Sequence, residues 1–187
     1  MALTTLDPKT ALIVIDLQKG IVSLPPADVA ADVVRHTRTL LDAFRARNLP
    51  VVLVNVDRGA PGRTERAFNI RDMPPDWTDL IPELNRQPGD IVVTKHSWGA
   101  FATTDLDTQL KARGVTQVVI AGVATGTGVE ATARQAYEAG FNVTLAVDAM
   151  TDMRAEAHAY SVASVFPRLG ETGTAQDVIN LLDQRSA

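Results

Sequence analysis

Four short apolar runs constrain the fold more than anything else in this chain: 11–15 (Ala-Leu-Ile-Val-Ile), 51–54 (Val-Val-Leu-Val), 91–93 (Ile-Val-Val) and 118–121 (Val-Val-Ile-Ala). None alternates apolar with polar residues, so each needs cover on both faces, which a parallel sheet wrapped by helices supplies. A fifth run, 143–147 (Val-Thr-Leu-Ala-Val), is more mixed. Helical patterns fill the intervals. Across 27–48, Val29, Val33, Leu40 and Phe44 recur at helical spacing, with Thr37 bridging the stripe. Asp28 in the first turn and Arg45 and Arg47 in the last suit the helix dipole. Segments 106–113 and 129–139 each run into a glycine, Gly114 and Gly140, as a helix C-cap would. This alternation predicts a doubly wound α/β sheet. With 187 residues the chain can bury one core and not two, so one domain over 1–187 is expected.

Composition narrows the chemistry. There is no cysteine, which removes disulfides, thiolate metal sites, redox pairs and thiol nucleophiles together. The 18 basic and 22 acidic side chains leave a formal charge of −4, so neither nucleic acid nor anionic membrane is an expected partner. No secretory leader is evident, and the longest apolar run, 118–124, is far shorter than a membrane span; a cytoplasmic location is expected. The long Gly-, Pro- and Arg-rich stretch 57–75 reads as a loop that is either functional or disordered.

Ligands of open α/β sheets bind outside the carboxyl ends of the strands, so the polar residues that end each run matter most. The first run ends in Asp16-Leu17-Gln18, the second in Asn55-Val56-Asp57, the third in Thr94-Lys95-His96-Ser97, and the fifth in Asp148. The fourth enters a turn, Gly122-Val-Ala-Thr-Gly-Thr-Gly128, that opens a helix. Asp16 and Lys95, on the ends of adjacent strands, would couple, either as an acid–base pair or as a structural ion pair. The turn presents backbone N–H groups at a helix N-terminus, which suits an anion or an oxyanion. Its Gly-x-x-x-Gly-x-Gly spacing also matches the nucleotide turn of short-chain dehydrogenases. That fingerprint follows a first strand, however, and no Tyr-x-x-x-Lys accompanies it here. No dinucleotide or other cofactor is expected. His96 could point into the crevice, while His36 and His158 fall in helices and read as surface or packing residues. Trp98 and Phe101 are candidates for pocket walls, and Thr125 and Thr127 for cap or turn roles. No metal-ligand spacing is present.

Taken in order, three blocks resemble the isochorismatase-like hydrolase superfamily, which includes nicotinamidases, N-carbamoylsarcosine amidases and isochorismatases. They are Ala-Leu-Ile-Val-Ile-Asp16-Leu-Gln, Val-Val-Thr-Lys95-His-Ser-Trp-Gly-Ala-Phe, and Gly122-Val-Ala-Thr-Gly-Thr-Gly128-Val-Glu. The resemblance implies a three-layer α/β/α, Rossmann-like fold with a mainly parallel sheet of about six strands. It also implies a catalytic Asp, Lys and Cys at Asp16, Lys95 and position 128. Further implications are an oxyanion hole from the Ala124 and Gly128 amides, a cis peptide between Val123 and Ala124, and a homo-oligomer. Position 128 is glycine, so thiol catalysis of the nicotinamidase kind is excluded. True isochorismatases resemble this chain in carrying glycine there, and they protonate an enol ether from the aspartate. Their turn has a tyrosine and a histidine where this chain has Ala124 and Gly126, which sets its substrate apart. Asp57-Arg58-Gly59 also lacks the histidine of the metal-bearing nicotinamidases.

Two expectations stand. One is a hydrolase that uses Asp16, Lys95 and water on a small polar molecule, with Gln18, Ala124, Trp98, Phe101 and Arg66 near the substrate. The other is an inactive relative that binds a small molecule or serves in assembly.

Overall fold

The computed structural model describes residues 3–65 and 73–185. In chain order the main elements are β1 (Thr10–Ile15), α1 (Lys19–Val22), α2 (Ala27–Ala46), β2 (Val51–Val56), β3 (Ile91–Lys95) and α3 (Leu106–Ala112). They continue through β4 (Gln117–Val123), α4 (Glu130–Glu138), β5 (Asn142–Thr151), α5 (Ala155–Tyr160), β6 (Glu171–Gly173) and α6 (Ala175–Gln184). The strands form one sheet in the order β3-β2-β1-β4-β5-β6, with every pairing parallel. The α/β class expected from the unbroken apolar runs is what the chain adopts.

Burial on both faces is explicit in β1. Ala11, Ile13 and Ile15 join the core layer that includes Leu106, Leu110 and Ala133 of α3 and α4. Leu12 and Val14 join the opposite layer, with Val33, Leu40 and Phe44 of α2 and Val178 of α6. Each such side chain contributes roughly 1.5–3 kcal/mol by leaving water. The α2 stripe is rotated slightly from expectation: Val29 is exposed and Ala30 and Leu41 are buried, while Val33, Thr37, Leu40 and Phe44 hold their places. Gly114 and Gly140 have left-handed φ of 70° and 88°, as their C-cap positions require.

Three features went beyond the periodicity. Lys95 is not on a strand next to Asp16, because β2 lies between β1 and β3. The fifth strand does not stop at Asp148 but runs to Thr151 after a register shift opposite Ile120 and Gly122. Asp148 consequently faces away from the crevice: one oxygen accepts from Ala175 N at 2.7 Å and the other lies 3.1 Å from His36 Nδ1. The short β6 has too few residues to show a pattern.

Gly122 lies where β4 leans closest to β1. Its φ is +121°, and a Cβ built there would lie 2.1 Å from the carbonyl oxygen of Ile15. Backbone cannot retreat as a side chain can. Gly122→Ala is therefore expected to destabilise the fold by roughly 3 kcal/mol or more, read as a lower urea midpoint. A midpoint within error of the native chain would contradict this close approach.

Candidate active site

The strand order reverses between β1 and β4, and the crevice outside their carboxyl ends is where such sheets bind ligands. Asp16 ends β1 in a left-handed conformation, φ 51°, uncommon for a residue with a side chain. Its N–H donates to Val54 O at 2.9 Å, which fixes the backbone as the side chain turns across the sheet end. The Lys95 side chain spans β2 to reach it. Nζ lies 2.8 Å from Asp16 Oδ2 and donates to Ser97 O at 3.2 Å, and both side chains of the pair are buried. Asp16 Oδ1 is buried without a hydrogen-bond partner among the described residues. Burial pushes the Asp16 carboxyl up to about 6, with the Lys95 charge and hydrogen bond opposing the rise. Asp16 therefore holds a proton at higher pH than an ordinary aspartate does.

Gly128 stands directly over this pair. A Cβ there would lie 3.2 Å from Asp16 Oδ2 and 3.1 Å from Ile15 Cγ2. The turn that carries it, Thr125–Val129, is one wide π-helical turn running into α4, preceded by a cis peptide between Val123 and Ala124. Several of its donors are committed to the fold. Thr127 and Val129 N–H groups both donate to Ala124 O at 3.1 Å, and Gly126 N–H donates to Asp152 Oδ2 at 2.8 Å. The Thr125 hydroxyl lies 2.9 Å from His158 Nδ1, so that histidine braces the turn from behind. Burial holds the His158 imidazole below its usual pKa, against the pull of Asp152, which favours the neutral ring.

Asp16, Lys95, Ala124 and Gly128 line a cavity of about 180 Å³. Trp98 lines it too, with 67% of its surface exposed at the lip. Two expected residues are not brought to it. Phe101 turns into the core, its ring 5.8 Å from that of Phe141, because the loop after β3 folds back onto α3 and α4. Gln18 is fully buried and spent on backbone: Nε2 donates to Val56 O and Trp77 O, and Oε1 accepts from Val56 N at 2.7 Å. It ties β2 and the 77–81 segment to the end of β1, and so seats Trp77 in the cavity wall. Arg66 lies outside the described residues. His96 sits beside the mouth with Nδ1 2.5 Å from Asp57 Oδ1.

Sequence reasoning overlooked Arg58, Trp77 and Met153, which also line the cavity, and Asp152, which anchors the turn. Arg58 could have been found, since it directly follows a strand end; Trp77 and Met153 come from segments whose path no periodicity reveals. A wider groove of about 860 Å³ lies at the opposite ends of the strands. Its four arginines all have partners in the fold: Arg45 in Asp90 and Leu84 O, Arg47 in Asp183 and Ala43 O, Arg113 in Gln109 O, and Arg185 in Pro8 O. The smaller cavity is the one with buried reactive groups. Among the described residues, no group of three or more His, Asp or Glu side chains could hold a metal ion. No helix among them is long and apolar enough to cross a membrane.

Residues 10–177 match the isochorismatase domain model. The chain belongs to the isochorismatase family of hydrolases. It is 42% identical to the uncharacterized isochorismatase family protein YwoC of Bacillus subtilis (strain 168), over 91% of this chain and 93% of that one. An isochorismatase family protein from Burkholderia thailandensis has a solved structure that superposes with a TM-score of 0.90 at 44% identity, covering 96% of this chain and 98% of that one. More distant, at 28% identity over 96% of this chain and 93% of the relative, is the ureidoacrylate amidohydrolase RutB of Agrobacterium fabrum (strain C58 / ATCC 33970). In this isochorismatase family member Gly128 brings no side chain over the Asp–Lys pair, and a Cβ there would press on Asp16 and Ile15.

Proposed function

We propose that this chain is a cysteine-independent hydrolase of a small polar molecule, an enol ether, an amide or a related compound, in which Asp16 supplies the proton and water is the nucleophile. The observation that carries this reading is the buried Asp16 carboxyl, bonded through one oxygen to Lys95 and with no partner among the described residues at the other, its pKa pushed up to about 6. A carboxyl so placed can hold a proton and release it to a substrate. On an enol ether, Asp16 gives its proton to the terminal vinyl carbon and an oxocarbenium ion forms. Water adds to the cationic carbon and returns a proton to Asp16. The hemiketal then breaks to a carbonyl compound and an alcohol. Lys95 favours the carboxylate left after the first step, and its hydrogen bond to Ser97 O keeps it in place. On an amide, the same groups would act on a tetrahedral intermediate, with the Gly128 N–H facing the developing oxyanion. Substrate and water would occupy the cavity of about 180 Å³ that Asp16, Lys95 and Gly128 line.

The test is a screen of small enol ethers, amides and carbamates, followed by the pH profile of kcat/KM on whichever is turned over. The protonated form is the working acid, so activity should be flat below pH 6 and fall about tenfold per unit above it. A profile that rises through pH 6 would assign Asp16 as a base instead. Saturable binding with no turnover across the screen would favour the inactive, ligand-binding relative. Association into a dimer or larger assembly, and a cytoplasmic location, belong to the same proposal and are read by light scattering and by cell fractionation.

A further inference from the structure

The cavity walls are apolar, formed by Ile21, Val56, Trp77, Trp98 and Met153, and one further cation stands among them. Lys95 is paired with Asp16, which lines the cavity with it, whereas Asp57, the partner of Arg58, does not line the cavity. Arg58 is held in an unusual way for a residue at a rim. Its Nε lies 3.3 Å from Asp57 Oδ1, the same oxygen that lies 2.5 Å from His96 Nδ1. Arg58 Nε also lies 3.2 Å from His96 Nδ1, and His96 Nε2 faces Arg58 Nη2 at 3.4 Å. The backbone N–H of His96 donates in turn to Thr103 Oγ1 at 3.1 Å. Two edges of the guanidinium are thus fixed by Asp57 and His96, while Nη1 makes no hydrogen bond among the described residues.

We propose that the substrate is a small monocarboxylate with a flat, apolar body, and that Arg58 is the specificity-determining residue that holds its carboxylate. This rests on the reading of the Asp16–Lys95 cavity as the active site. A guanidinium matches a carboxylate in shape and charge, and one already oriented by its neighbours loses little freedom on binding. Asp57 is shared between Arg58 and His96, so it orients the cation without occupying Nη1. The indole of Trp98, exposed at the lip, offers the face on which a planar body lies. A volume of about 180 Å³ limits that body to a single ring or a short unsaturated chain.

The chain itself carries the probe. Its two tryptophans, Trp77 and Trp98, both line the cavity, so intrinsic fluorescence reports entry there. Benzoate and benzamide have nearly the same shape and differ in charge. Benzoate is expected to bind about tenfold more tightly than benzamide, with the gap narrowing as salt is raised. Arg58→Met should erase the gap by weakening benzoate, and Arg58→Lys should keep part of it. Equal affinities in the native chain, a gap that survives Arg58→Met, or no saturable benzoate signal would each overturn the proposal. Turnover is not needed for this measurement. An Arg58-dependent gap in a chain that hydrolyses nothing sinks the hydrolase reading alone, and hydrolysis of neutral compounds without a gap sinks the carboxylate proposal alone.

Discussion

Asp16→Asn is expected to abolish turnover of any substrate the screen recovers, lowering kcat/KM by at least about a thousandfold, in line with loss of a positioned general acid. Asparagine keeps the size of the side chain and can still accept a hydrogen bond from Lys95 Nζ, 2.8 Å from the native Oδ2. It cannot hold and release the proton. Residual activity near the native level would show that the burial of Asp16 serves only the ion pair. Circular dichroism separates the two outcomes from unfolding. The substitution leaves the Lys95 ammonium without a counter-charge, and some stability is lost with it. The pH dependence of stability gives an independent check. The folded-state pKa of about 6 lies above the ordinary 3.8, so the contribution of Asp16 to folding is fully present below pH 3.8. It is lost as the pH rises through 6. Asp16→Asn should flatten that window in urea titrations taken from pH 4 to 7.

Gly128→Cys tests the geometry from the other side. The chain contains no cysteine, so a single alkylation reports on the new thiol alone. Its Cβ would stand 3.2 Å from Asp16 Oδ2 and 3.1 Å from a terminal methyl of Ile15, close enough that both side chains must yield by a few tenths of an ångström. There a carboxylate poised near pH 6 can take the thiol proton, and the start of α4 favours the thiolate. Reaction with iodoacetamide at pH 7 should be at least about tenfold faster than for Gly62→Cys, whose exposed Cβ would meet nothing within 4 Å. Adding Asp16→Asn to Gly128→Cys should remove the advantage. Equal rates for the two single cysteines would mean that Asp16 does not serve the space above Gly128.

The strands and the helices between them were legible because unbroken β-branched runs and 3.6-residue stripes are local consequences of being covered on two faces or on one. Asp16 and Lys95 drew notice for a related reason, since each stands where a strand ends and ligands of open parallel sheets gather there, whereas position 128 was singled out by the family resemblance. Gln18 and Phe101 stand at equally suggestive positions, yet the structure spends the first on backbone groups of β2 and the 77–81 segment and packs the second against Phe141. Strand-end position says which residues are near the crevice. It does not say which way a side chain turns, because that depends on neighbours brought from elsewhere in the chain.

By itself, the sequence determined the α/β class, the absence of any thiol chemistry, and the strand ends that carry the reactive groups. Only the tertiary structure decided that Lys95 crosses under β2 to Asp16, that Asp152 rather than Asp148 anchors the turn, and that Arg58 faces the cavity with Asp57 and His96 behind it. The physical reason is range. Periodicity and cap residues act over a few positions, whereas burial, ion pairing and hydrogen-bond partners are set by contacts between segments tens of residues apart, such as the Asp16–Lys95 pair itself.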